Sequence, residues 1–205
     1  MRKIRKFIST LLLIAAAFYI GTLASDKQML SDDLIRLHVV ADSDSAEDQA
    51  IKLQVRDAIT AKLESIMENL PDAEAAKAYL QEHLGELEQL ANEVLQAAGN
   101  SCKAVVSFAK EAFPTREYDT FTLPAGIYES LRVTIGSGEG RNWWCVIFPG
   151  LCVSATSDGM EDTAAGAGFS NTLSGALTGK QEYKVRFFLL DCIGWVENWI
   201  FQKGF

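Results

Sequence analysis

A chain of 205 residues with 19 basic and 27 acidic side chains, net charge −8, is long enough to bury a core without metal or disulfide support. Four of the basic residues, Arg2, Lys3, Arg5 and Lys6, precede every acid, and setting them aside takes the charge from −8 to −12. So acidic a body excludes a nucleic-acid backbone as partner, because phosphate binding needs clustered Lys and Arg.

Those four cations open a targeting segment. They lead into the apolar run Phe7 to Ile20, broken only by Ser9 and Thr10, and then into Gly21-Thr22-Leu23-Ala24-Ser25. This is the pattern of a secretory signal, with Thr22 and Ala24 in the small-residue positions before a cut between Ala24 and Ser25. The competing reading of residues 1–24 is an uncleaved anchor, since Phe7 to Ala24 sits at the short limit of the ~17–25 apolar residues that span a bilayer. In either case the positive charges stay on the cytoplasmic side and residues 25–205, read as a single domain, cross.

Beyond a polar connector, Leu34 to Ala41 predicts a mostly buried strand with Arg36 and His38 on one face. Asp42-Ser43-Asp44-Ser45 ends it, and Asp44 or Ser45 offers an N-cap with Glu47 and Asp48 in the following first turn. Ile51, Val55, Ile59, Leu63 and Ile66 then recur at helical spacing and predict a helix from about 46 to 69. Pro71-Asp72 starts a second helix, whose Leu80, Leu84, Leu87, Ala91 and Val94 alternate steps of four and three up to a stop at Gly99-Asn100. The two form an antiparallel hairpin expected to pack on a sheet.

Strand character returns at Cys102 to Ala109 and again at Ile127 to Ile135. Gly136-Ser137-Gly138-Glu139-Gly140 follows, leading into Asn142-Trp143-Trp144-Cys145-Val146-Ile147-Phe148. The glycines predict a β-hairpin turn: a phosphate-cradling loop would have to open a helix, and here a strand continues. Residues 154–180 are small and polar and predict a flexible loop, with a helical turn near Leu173 to Leu177. Tyr183, Val185, Phe187 and Leu189 alternate with Lys184, Arg186 and Phe188, which predicts a late strand. The tail from Leu190 predicts an amphipathic helix that closes the core, or lies on a membrane surface. The fold class is therefore α+β, a mixed or antiparallel sheet packed with a long helical hairpin and a C-terminal amphipathic helix.

Candidate chemistry concentrates around Trp143. Asp42, Asp44 and Asp48 lack the glycine and the bidentate Glu of a calcium loop, and helix capping explains them; no metal or cofactor is expected. Cys145 with His38 or His83 would make a Cys–His pair able to cut an amide in the cell envelope. Against this, exported thiols oxidise, and Cys152 is near enough to trap Cys145 across the turn Pro149-Gly150. Four cysteines, Cys102, Cys145, Cys152 and Cys192, allow three pairings, among which sequence does not choose. Trp143 and Trp144 point to opposite faces of a strand, so one belongs to the core while the other is exposed or covered by a neighbour. An exposed Trp beside Arg141 and Asn142 is the composition of an interface hot spot.

Taken together, Arg36-Leu37-His38-Val39-Val40-Ala41-Asp42-Ser43-Asp44, Asp48-Gln49 and Val55-Arg56-Asp57 resemble the front half of the stage II sporulation protein R family. Tyr118, Leu123-Pro124-Ala125-Gly126, Tyr128, Leu131-Arg132-Val133 and the run Gly136 to Cys152, with its Asn-Trp-Trp-Cys and Phe-Pro-x-Leu-Cys, are similar to its second half. Asp42 stands where the family more often has Asn, and Cys102 and Cys192 fall outside the motif. The resemblance implies a non-enzymatic signalling protein, made in the forespore and exported into the intermembrane space. There it is needed for a membrane-embedded aspartic protease of the mother cell to process an inactive sigma-factor precursor. Two other readings stand beside it: an envelope cysteine hydrolase using Cys145 with His38, and a membrane-bound structural partner held by residues 7–24 and the C-terminal helix.

Overall fold

The computed structural model describes residues 2–118, 121–149, 171–178 and 184–204. Cys152 and most of the stretch 154–180 lie outside them. In chain order the elements are α1 (Arg2–Asp33), β1 (Ile35–Val40), α2 (Ala46–Met67), α3 (Ala73–Glu82), α4 (Leu84–Ala97), β2 (Ala104–Phe113), β3 (Arg116–Glu117), β4 (Thr122–Leu123), β5 (Gly126–Ile135), β6 (Asn142–Phe148), α5 (Asn171–Leu177) and α6 (Lys184–Gln202).

A four-stranded mixed sheet of order β2-β5-β1-β6 forms the centre of this α+β fold, and β3 and β4 make a separate two-stranded piece. β1 runs parallel to β5 and antiparallel to β6. Every residue of β1 is buried because both sheet faces are covered. Ile35, Leu37 and Val39 join Val55, Ile59 and Leu87 in a core beneath α2, α3 and α4. On the other face, Leu34, Phe113, Tyr128 and Val146 pack with Leu23 and Leu30 of α1, Leu177 of α5 and Leu190 of α6. This double covering explains why β1 reads as an almost unbroken apolar run.

The first helix of the hairpin begins as its sequence requires. Ser45 caps α2, its Oγ accepting from the Asp48 N–H at 3.0 Å, and the Asp48 carboxylate accepts in return from the Ser43 and Ser45 hydroxyls. Asp72 caps α3 by accepting from the Ala75 N–H at 2.8 Å. The expected single second helix is two, however, broken at His83, whose backbone leaves the helical region at φ −107°, ψ 17°. The His83 ring stacks on Tyr79 with centroids 4.0 Å apart, and its Nδ1 lies 2.8 Å from the Tyr79 carbonyl oxygen. A side chain bonded to that carbonyl competes with the backbone ladder at this turn. α4 ends in a Schellman arrangement: Gly99 takes φ +71°, and the Asn100 N–H donates to the Leu95 carbonyl at 2.9 Å. Asn92 of α4 brackets the start of β2, donating to the Ala104 carbonyl and accepting from its N–H.

Two further expectations are corrected. The glycine-rich stretch does not close a hairpin, because β1 lies between β5 and β6. Residues 136–141 instead cross over the C-terminal end of β1, spanning two strand spacings, roughly 10 Å. The late strand from Tyr183 is also absent among the described residues, where Lys184 onward is already α6. The alternation Val185, Phe187, Leu189 is too short to separate strand from helix, and the face that docks is Leu190, Gly194 and Asn198, spaced by four. That face closes the core; Trp195, Val196 and Trp199 of the same helix point out.

Candidate functional site

The site grows from the turn between β5 and β6. Gly136 and Gly138 adopt φ +56° and +67°, a region that suits glycine. At Gly140 a Cβ would run into the Ser43 carbonyl. These glycines let the crossing strap lie flat on the residues after β1. Ser137 N–H donates to the Asp42 carboxylate at 2.5 Å, and Glu139 and Gly140 N–H donate to the Asp42 and Ala41 carbonyls. Arg141 N–H donates to Asp44 Oδ1 at 2.7 Å. Asp42 and Asp44 are therefore strap holders and not helix caps, and the hydrogen bonds from Ser137 hold the Asp42 carboxyl below its usual range.

Out of this strap comes β6, an edge strand, with Trp143 and Trp144 on opposite faces. Trp143 is 37% exposed, and the Arg56 guanidinium of α2 covers it at 4.1 Å from the ring centre. Trp144 is half-buried, with Arg116 stacked over it at 3.7 Å and Phe113 edge-on at 6.4 Å. Lys52, buried under the strap, donates to the Arg141 carbonyl at 2.9 Å. Burial, with the Arg141 charge close by, lowers the Lys52 pKa. An open cleft of about 660 Å³ follows the edge, lined by Arg116, Tyr118, Arg141, Asn142, Trp143 and Trp144, with Glu117 as the one acid in the lining among the described residues. In a chain of net charge −8 this tip gathers Lys52, Arg56, Arg116 and Arg141 around two indoles. Asp44 and Asp57 partly offset them, at 3.4 Å from Arg141 and 2.6 Å from Arg56.

Behind the tip a polar chain crosses the whole sheet. His38 on β1 places Nδ1 3.1 Å from Glu111 on β2 and Nε2 2.8 Å from the Asn142 side-chain oxygen on β6. Arg132 on β5 donates to the same Glu111 carboxylate at 2.7 Å. Burial alone would raise the Glu111 pKa, but the hydrogen bonds from His38 and Arg132 outweigh it and hold the group down to about 2. As a cation the ring donates at both nitrogens. As a neutral ring it donates to Glu111, and Asn142 must turn an amide N–H toward Nε2.

This geometry separates His38 from Cys145, the pair considered for a nucleophile. His38 lies opposite Trp144 and Leu37 opposite Cys145 in the β1–β6 register. With a side-chain period of two, Cys145 belongs to the core beneath the helices while His38 faces Phe113 on the other side. His83 is remote from both, at the α3–α4 break. Cys145 is 7% exposed, Cys102 and Cys192 are free, and Cys152 lies outside the described residues. Ala24 and Ser25 are exposed within the unbroken α1.

Arg36 is the other unusual group. It is fully buried, its guanidinium 4.0 Å from the Phe113 ring and 5.2 Å from Tyr128. Its Nη2 donates to the Tyr118 hydroxyl at 2.8 Å, while Nε and Nη1 have no hydrogen-bond partner. Two aromatic faces stand in for water around the cation. Arg141, Asn142, Trp143 and Trp144, the four residues expected to form a partner-binding surface, lie together along one cleft, and Lys52, Arg56, Arg116 and Tyr118 pack beside them. Those four come from α2 and from the segment 116–118, and only the register of the sheet and the docking of α2 bring them in. The one local signal was the polar, proline-led Thr115-Arg116-Glu117-Tyr118 beside the strand.

Comparison with known proteins gives two matches. The profile of the family described as Stage II sporulation protein R matches residues 31–158. Among curated proteins, the chain is similar to the Stage II sporulation protein R of Bacillus subtilis (strain 168), at 32% identity over 183 residues, covering 80% of this chain and 82% of that protein. No solved structure matches.

Proposed function

The chain belongs to the stage II sporulation protein R family, whose role lies in sporulation, and on that footing we propose that it is an exported signalling protein that activates a membrane protease. In this reading it is made in the forespore, crosses into the intermembrane space, and binds the membrane-embedded aspartic protease that processes a sigma-factor precursor. The observation that carries the proposal is the tip: an exposed Trp143, stacked by Arg56 and flanked by Arg141, on a rigid edge strand. Tryptophan and arginine in a supported setting are the residues that dominate protein–protein binding energy. The cation cluster further favours an acidic surface on the protease, in a chain otherwise acidic.

The position of the tip supports the same reading. β1 starts two residues after α1 ends and runs away from it for six residues, ~20 Å. We take α1 as retained in the working protein. A cut between Ala24 and Ser25 would remove Leu23, 3% exposed, from the second core, and would leave Asp26, which holds Arg186, at a fresh chain end. With its apolar stretch in the forespore membrane and its four cations inside, α1 then presents the tip toward the opposite membrane. A clasp between Cys145 and Cys152 completes the proposal; Cys145 is disulfide-bonded.

The test is sigma-precursor cleavage in sporulating cells carrying wild type, Trp143→Ala or Arg141→Glu. Loss of cleavage with normal protein level is the expected result. Normal cleavage in a strain lacking the gene sinks the pathway, whereas normal cleavage with both variants sinks only the assignment of the tip. Mass measurement of the mature chain decides whether residues 1–24 are kept.

A further inference from the structure

α6 docks by one face and carries an apolar face on its reverse side. Leu190, Gly194 and Asn198 press on the body, with Gly194 so close to the Ala125 carbonyl that a Cβ would collide with it, and Asn198 donating to the Phe113 carbonyl at 2.7 Å. On the reverse side Val185, Phe188, Trp195, Val196, Trp199 and Ile200 are all exposed, Trp195 by 60% and Trp199 by 57%. At 3.6 residues per turn these six fall within an arc of about 140°. No charged residue lies in that arc until Lys203, whose Nζ sits 4.2 Å from the Trp199 ring centre. A face this apolar, left free on a folded chain, marks an interaction surface.

Its orientation identifies the partner. Arg186 near the start of α6 binds Asp26 of α1 with hydrogen bonds of 2.8 and 2.5 Å. Eleven residues later, Glu197 stands 3.6 Å from Lys27, the next residue of α1. Eleven residues of helix advance ~16 Å, while adjacent residues advance ~1.5 Å. α6 therefore runs across α1 and not along it. The crossing lies between Tyr19, whose ring centre is 5.8 Å from the Arg186 guanidinium, and Lys27, at the end of the exposed apolar stretch of α1 that includes Phe7, Leu12, Phe18 and Ile20. A helix transverse to a spanning helix lies in the plane of the membrane, and at this level it lies among the headgroups. The body fills its other side.

We propose that α6 is an interfacial helix whose Trp195/Trp199 face is seated in the bilayer that α1 crosses. Aromatic and aliphatic side chains on one face, with a lysine at its end, are the composition of such helices. The inference rests on α1 being retained, but not on the protease reading. Its consequence is that the body is held at two places, the anchor and α6, which fixes the tilt of the sheet on the membrane.

Cys192, free and exposed on this same face, is a natural probe. The full chain with Cys102→Ser, spin-labelled at Cys192, is placed in vesicles of phosphatidylethanolamine and phosphatidylglycerol. Collisions with lipid-soluble oxygen are compared with those of a water-soluble nickel chelate; a Cys192→Ser chain labelled at Cys102 serves as the reference on the body. The expected result is oxygen above nickel at Cys192 and the reverse at Cys102. Trp195→Glu with Trp199→Glu, both at exposed positions, is expected to return Cys192 to nickel. Nickel dominance at Cys192 in the otherwise native chain overturns the proposal. Spin–spin broadening with neither reagent reaching Cys192 also overturns it, and assigns the face to a second copy.

Discussion

Glu111→Gln removes the charge that ties the sheet together and leaves the shape in place. Glu111 accepts from His38 and Arg132, and through His38 its hold extends to Asn142 at the tip. The folded carboxyl group titrates at about 2 against 4.5 for the free group. At ~1.4 kcal/mol per unit, the charged network contributes roughly 3 kcal/mol at neutral pH. The side chain is 17% exposed, so solvent screening removes only part of this. The sign follows from the depressed pKa. The contribution is complete above pH 4.5 and is lost as pH falls toward 2, because the unfolded chain takes up the proton first.

At pH 3 about 2 of the roughly 3 kcal/mol has gone. The full chain in detergent micelles, unfolded with urea and followed by tryptophan fluorescence, is therefore expected to show Glu111→Gln ~2–3 kcal/mol below wild type at pH 7 and only ~1 kcal/mol below it at pH 3. Other acids shift both proteins alike and cancel in the difference. A gap that stays the same at both values, or one absent at pH 7, would refute the reasoning.

Three other outcomes follow from the packing. Gly194→Ala drives a methyl group into the Ala125 carbonyl, so α6 is expected to lift from the sheet, with ~1–3 kcal/mol of lost stability and early proteolysis of the C-terminus; a resistant, unshifted protein would contradict the close docking. Arg36→Met replaces a buried cation with two unpartnered nitrogens by an apolar side chain of similar length. Thermal unfolding is expected to be unchanged or higher, and a loss above ~2 kcal/mol would mean that an anion normally balances Arg36. Alkylation of the denatured, unreduced chain is expected to modify two thiols, Cys102 and Cys192; modification of Cys145 would remove the clasp.

Elements set by local chemistry were legible in the sequence. β1, α2 with Ser45 as one of two candidate caps, the helix start at Pro71-Asp72, the Gly99 stop and β5 follow from periodicity and from residues within a turn of each boundary. The opposition of Trp143 and Trp144 follows from strand geometry alone. What escaped depends on partners distant in sequence. The glycine strap reads as a hairpin because nothing near it announces that β1 will sit between its strands; its partner is Asp42, 95 residues away, accepting from Ser137. α6 was concealed because its docking stripe uses glycine and asparagine, which carry no hydrophobic signal, while its bulky residues point out. The Cys145–His38 idea failed on register, since pairing His38 with Trp144 sends the next residue of β6 to the opposite face.

The two ends of β1 connect the candidate tip with α1. One residue, Leu34, separates α1 from the strand, and it is fully buried. At the other end Asp42, Ser43 and Asp44 hold the strap through backbone and side-chain bonds, and α2 starts at once from Ser45. A six-residue strand paired on both sides and buried on both faces resists deformation, because bending it would break hydrogen bonds on two ladders and open two cores. Arg56 and Lys52, which support Trp143 and the strap, sit on the helix that β1 itself launches. The tip is therefore stiffly coupled to α1, with no flexible linker between them. On the proposed reading, with α1 spanning a membrane and α6 resting on it, the direction in which Trp143 points is fixed relative to the membrane plane. For a ligand of the kind proposed, one that meets a receptor in a facing membrane, such fixing lowers the orientational entropy lost on binding, and it does so through structure away from the tip.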